Sequence, residues 1–212
     1  MFDRIAPVYD AMNRAMTAGL DRRWRRETAR TVVASGDRVL DVCCGTGDLA
    51  IAAKRAGGRV TGVDFSERML ERARAKSGEI EWVQGDALAL PFADDSFDSV
   101  TVGFGVRNLE DLERGLRELR RVLRAGGRIG ILEITTPGGL LRPFYRLWFD
   151  GIVPLAGKLL PGGSAYTYLP ASVRRFPRAE DLAQLMQTAG FEHVRYRLFA
   201  GGIVALHSGV AR

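Results

Sequence analysis

The chain has 212 residues, 46% of them apolar, enough for one core and one domain spanning 1–212. Its two cysteines, Cys43 and Cys44, are adjacent and have no His or Cys nearby, which excludes a disulfide framework and a metal-ligand pattern, so no metal is expected. The formal net charge of +6 is carried almost wholly by arginine, with lysine only at Lys54, Lys76 and Lys158, and it favours anionic partners, although a warm habitat enriches arginine too.

The start, Met1-Phe2-Asp3-Arg4, is not a secretory signal and no apolar run reaches about 18 residues, so a cytoplasmic location is expected. Residues 1–35 read as two helices forming an N-terminal cap, the second carrying Arg22, Arg23, Arg25 and Arg26 around Trp24. From Asp37 onward, β-rich runs at Arg38–Val42, Arg59–Asp64, Ile80–Gln84, Ser99–Phe104 and Arg128–Ile134 alternate with helical patterns. The clearest helix places Leu109, Leu112, Leu116, Leu119 and Leu123 on one stripe and stops at Arg124-Ala125-Gly126-Gly127-Arg128. Residues 138–170 depart from the alternation and, being rich in Leu, Phe, Tyr and Trp, are predicted to cover a site. A helix near 178–189 and strands near 193–198 and 203–209 close the chain. This is the pattern of an α/β, Rossmann-like domain with a seven-stranded, mostly parallel sheet whose last strand is antiparallel.

After the first strand, Asp41-Val42-Cys43-Cys44-Gly45-Thr46-Gly47-Asp48 is a tight turn opening a helix, where glycines let the backbone approach a ligand. Asp64 ends the second strand, placed to accept ribose hydroxyls, and Asp86, followed by Ala87, lies after the third, placed to accept from an adenine amino group. A loop that opens with Asp41 and lacks lysine repels a pyrophosphate but suits a cofactor with an ammonium and a sulfonium. With Leu90-Pro91-Phe92-Ala93-Asp94 leading toward the fourth strand, this order resembles the class I methyltransferases and implies S-adenosylmethionine. Cys43 departs from that pattern at its first glycine. It reads better as a small buried residue than as a redox group.

Four further stretches span the chain: Phe2 to Asp10 with Met12-Asn13, Gly103-Phe104-Gly105-Val106-Arg107-Asn108, Ser164-Ala165-Tyr166-Thr167-Tyr168-Leu169, and Gly201 to His207. In order and spacing they resemble the ubiquinone/menaquinone biosynthesis C-methyltransferases. The resemblance implies methyl transfer to a ring carbon of a prenylated quinol, most simply 2-demethylmenaquinol, with a benzoquinol or another small molecule as the alternatives. Arg107 would then stabilise the oxyanion, Asn108 would orient a hydroxyl, and Tyr9 and Tyr166 would close over the cofactor or donate to the ring oxygens, or else pack between lid and core. The competing structural reading has Asn108 cap the next helix while Arg107 lies on the surface. Gly103 stands where a cofactor-contacting serine is common, so contact there would be through backbone, and Thr136 stands where lysine is common. His207 reads as a structural residue, and no base is assigned. The apolar face holding Leu140, Leu141, Phe144, Leu147, Trp148 and Ile152 would take a prenyl chain, rest on a bilayer, or pack as a lid. No nucleic-acid partner is expected, and a homodimer is left open.

Overall fold

A computed structural model describes residues 9–137 and 172–212. Strand β1 (Arg38–Val42) is buried from Val39 to Val42, as a strand covered on both faces must be. Its side chains alternate: Leu40 and Val42 face one core cluster and Val39 faces another. Around it the sheet runs β3 (Glu81–Gln84), β2 (Arg59–Asp64), β1, β4 (Phe97–Gly103), β5 (Leu123–Ile134), β7 (Val204–Ala211), β6 (Phe191–Phe199). The first five strands are parallel, whereas β7 is antiparallel to both β5 and β6.

One face of the sheet is covered by α2 (Asp21–Val32) and α3 (Asp48–Arg55), whose Ala29, Val32, Ala50 and Ala53 pack with Val39 and Val60. The other face meets α5 (Leu112–Val122) and α6 (Ala179–Thr188) through Leu116, Leu119, Leu182 and Met186. Helix α4 (Glu67–Lys76) runs along β2 and β3, and α1 (Tyr9–Thr17) precedes α2. Among the described residues, no helix is long and apolar enough to cross a membrane.

The predicted elements appear with small shifts. Helix α5 begins at Leu112, because the Asp111 side chain caps it by accepting the Arg114 N–H at 2.9 Å. Regular pairing of β5 with β4 starts at Arg128, and between Leu123 and Arg128 the register slips around Gly126, whose φ is 72°. Strand β6 begins two residues before the expected start and carries a bulge at His193, φ 51°. The apolar segment expected over 138–170, with Tyr166, lies outside the described residues.

Candidate active site

The loops after β1, β2, β3 and β4 leave the sheet at the same edge, where the strand order reverses between β1 and β4, and they line a cleft of about 310 Å³. Three left-handed residues turn β1 into α3: Cys43 (φ 54°), Gly45 (55°) and Gly47 (84°). At Gly47 a Cβ would also lie 2.4 Å from the Trp82 ring, so both conformation and space demand glycine there. Cys43 adopts the left-handed backbone with a side chain, and the opposing loop makes room: a Cβ on Gly105 would sit 2.4 Å from Cys43 Cβ. Burial, reinforced by the carboxylates of Asp64 and Asp41, pushes the Cys43 thiol far up and keeps it protonated, which fits packing and not redox chemistry.

The three acids predicted from the sequence do converge on this edge, at different depths. Asp64 and Asp86 line the open cleft with Gly45 and Ala87. The Asp64 carboxylate accepts the Gly45 N–H at 2.8 Å and the Ser66 N–H at 2.9 Å, which ties the first loop to the end of β2. Asp86 accepts the Leu88 N–H at 2.9 Å. Asp41 lies deeper, in a narrow crevice shared with Arg25, Thr46 and Gly103. Its Oδ1 accepts the Thr101 hydroxyl at 2.7 Å, and its Oδ2 is buried without a partner among the described residues. Burial raises its pKa from 3.8 to about 7; the Thr101 hydroxyl and the nearby Arg25 cation only partly offset this. A buried carboxylate with an unpartnered oxygen fits a cofactor that brings a cationic group. Thr46 is buried between Asp10, to which its hydroxyl donates at 2.6 Å, and Lys76, from which it accepts at 2.8 Å, so it fastens the loop to α1 and α4.

Arg107 and Asn108 lie on a single 3-10 turn (Val106–Asn108) after β4. Asn108 lines the cleft, and its Oδ1 is buried without a partner among the described residues. It does not cap α5, since Asp111 does, and Arg107 does not lie on the surface. The Arg107 guanidinium turns toward β5, where Nη1 donates to Glu133 Oε1 at 2.8 Å, and its Nε is buried with no acceptor among the described residues. Glu133, 1% exposed, also accepts the backbone N–H of Arg107 at 3.3 Å and of Ile134 at 2.8 Å. Tyr9 opens α1, and its side chain is outside the described residues, as is Tyr166.

Three neighbours of the site were not picked out from the sequence. Arg25, buried, pairs with Asp21 at 2.8 Å and stands 5.2 Å from the Phe104 ring centroid; its signal is its place in the buried stripe Asp21, Trp24, Arg25, Thr28, Ala29 and Val32. Glu133 is legible as the lone charge in the apolar run Ile129 to Ile134. Phe65, 77% exposed on the cleft wall, directly follows Asp64. His207 is structural: it is buried on β7, where its Nε2 meets the Ala179 carbonyl at 2.8 Å and burial lowers its pKa.

A family model described as the ubiE/COQ5 methyltransferase family matches residues 1–211. A demethylmenaquinone methyltransferase of Deinococcus radiodurans is 47% identical over all of this chain and 91% of its own length. The protein of that name from Thermus thermophilus is 44% identical, covering 99% of each chain. A ubiquinone/menaquinone biosynthesis C-methyltransferase of Geotalea uraniireducens is 41% identical over 99% of this chain and 94% of its own. In fold, the chain resembles the solved structure of a Thermotoga maritima protein described as a SAM-dependent methyltransferase (TM-score 0.68, 22% identity, all of both chains covered). It also resembles the solved structure of a protein described as a methyltransferase, in complex with the Haloferax volcanii Trm112 methyltransferase activator (TM-score 0.72, 21% identity, 99% of this chain and 97% of that one).

Proposed function

Since this chain belongs to the ubiE/COQ5 methyltransferase family and is an S-adenosylmethionine-dependent C-methyltransferase, we propose that its acceptor is a ring carbon of a prenylated quinol and that it converts 2-demethylmenaquinol to menaquinol. Full-length relatives bearing that activity in their names support the acceptor. The name of the Geotalea relative keeps a benzoquinol as the second reading.

One observation carries the chemistry: the cleft wall holds a buried acceptor, Asn108 Oδ1, and the residue behind it a buried donor, Arg107 Nε–H, both without partners among the described residues. Orphaned buried groups are costly and mark places where a ligand completes the hydrogen bonding. In this reading Asn108 accepts from a ring hydroxyl and orients it. Arg107, held from behind by Glu133, donates to the oxygen as its charge grows. Loss of the hydroxyl proton to solvent spreads negative charge onto the adjacent ring carbon, which forms the new C–C bond as the sulfonium C–S bond breaks; the ring carbon then gives up its own hydrogen as a proton, which restores the aromatic ring and its hydroxyl. S-adenosylmethionine, when bound, supplies the electrophilic methyl on its sulfonium. Asp64 would hold its ribose, Asp86 its adenine, with Phe65 and Ala87 as apolar wall, and Asp41 its cationic amino-acid end, while Gly45, Gly47 and Gly103 keep the backbone close.

The test is methyl transfer from labelled S-adenosylmethionine to a reduced, short-tailed demethylmenaquinol, with the oxidised quinone as control. Product from the quinol alone is expected. Equal labelling of the quinone, or no product while calorimetry shows the cofactor bound, would overturn the acceptor assignment.

A further inference from the structure

A second cleft, of about 470 Å³, opens among α1, α2 and α3. Its walls carry Arg14 of α1, Arg22, Arg25 and Arg26 of α2, and Arg55 of α3. Among the described residues the one carboxylate lining it, Asp48, is taken by Lys76 at 2.7 Å, and Arg25 is already paired with Asp21. None of Arg14, Arg22, Arg26 and Arg55 forms an ion pair among the described residues; Arg26 makes only a long bond, 3.4 Å, to the Arg22 carbonyl. Four unmatched guanidinium groups around one concavity repel each other and focus a positive potential in it. The partner that relieves this is an anion with several acceptor oxygens, and planar guanidinium groups fit a phosphate in particular.

At the corner joining α1 to α2, Met16 is 37% and Leu20 44% exposed, within two residues of Arg14 and Arg22 respectively. Apolar side chains standing in solvent beside unpaired arginines match the boundary between headgroups and acyl chains. We propose that the arginine cleft binds the phosphodiester headgroup of an anionic phospholipid, with Met16 and Leu20 dipping below it. The assignment stands on the cleft itself and does not require the acceptor proposed above.

The experiment is flotation of the full chain with quinol-free vesicles of phosphatidylcholine doped with phosphatidylglycerol, comparing wild type with Arg22→Gln/Arg55→Gln. Wild type should bind the doped vesicles, ignore pure phosphatidylcholine, and release as salt rises. The double variant should bind about 25-fold more weakly, at roughly fivefold per charge near an anionic surface. Leu20→Gln should weaken binding without changing its salt dependence. Circular dichroism melts and cofactor binding, both expected unchanged in the variants, show that they are folded even if no quinol is methylated. Equal vesicle binding by wild type and the folded double variant would overturn the site. So would capture of pyrophosphate or of random RNA through these arginines by a protein that ignores vesicles.

Discussion

Glu133 and Asp41 are both buried carboxylates, and their surroundings give them opposite tasks. Glu133 is compensated by the Arg107 cation and two backbone N–H groups. Removing it alone strands a buried guanidinium, so Glu133→Ala should cost about 3–5 kcal/mol in a urea melt. Replacing both partners by apolar residues, Arg107→Met with Glu133→Leu, should recover most of that stability while turnover stays lost; recovery of turnover would remove Arg107 from the chemistry. Asp41 is under-compensated, and its pKa of about 7 makes the folded chain hold a proton that the unfolded chain, near 3.8, has released. Its contribution to stability is therefore full below the unfolded value and is lost as pH rises through about 7. Stability followed across that window should fall more in wild type than in Asp41→Asn, which should also lose affinity for the cofactor.

Among the elements, the loops after β1 and β4 are built as a matched pair. Cys43 in a left-handed conformation carries strain on the order of 1 kcal/mol, and Gly105 leaves it the space that its Cβ needs. Gly105→Ala should destabilise by more than about 2 kcal/mol through that clash. Cys43→Gly removes the Cβ that is struck, so the double variant should be more stable than Gly105→Ala alone; strict additivity in the cycle would show that the two loops do not touch. Helix α5 depends on its own start signal, and Asp111→Ala should cost about 1 kcal/mol in thermal denaturation with little change in cofactor affinity. The alternation of strands and helices, the Leu116 and Leu119 stripe and the Gly126 turn were all legible from period and turn chemistry. The partner that caps α5 was not, because Asn108 and Asp111 are equally good capping residues on sequence grounds.

For the molecule as a whole, four separate loops meet at one sheet edge, so a ligand that bridges them should stabilise the entire domain. At cofactor concentrations about 100-fold above Kd, the gain should be about 2.7 kcal/mol and visible as a raised Tm. Asp64→Ala should abolish the shift, because Asp64 also fastens the first loop through the Gly45 N–H. A full Tm rise in that variant would show that the carboxylate does not take part.

The sequence by itself determined the α/β alternation, the three acids that meet at one sheet edge and the family, because hydrophobic period, turn glycines and short motifs are local along the chain. Tertiary structure decided what depends on neighbours far apart in sequence. Asp41 is raised by burial while Asp64 is anchored to the first loop; Arg107 turns inward because Glu133, 26 residues away, waits on β5. Arginines from three helices face one cleft. A charge's role is set by what surrounds it in space, and only the folded chain brings those surroundings together.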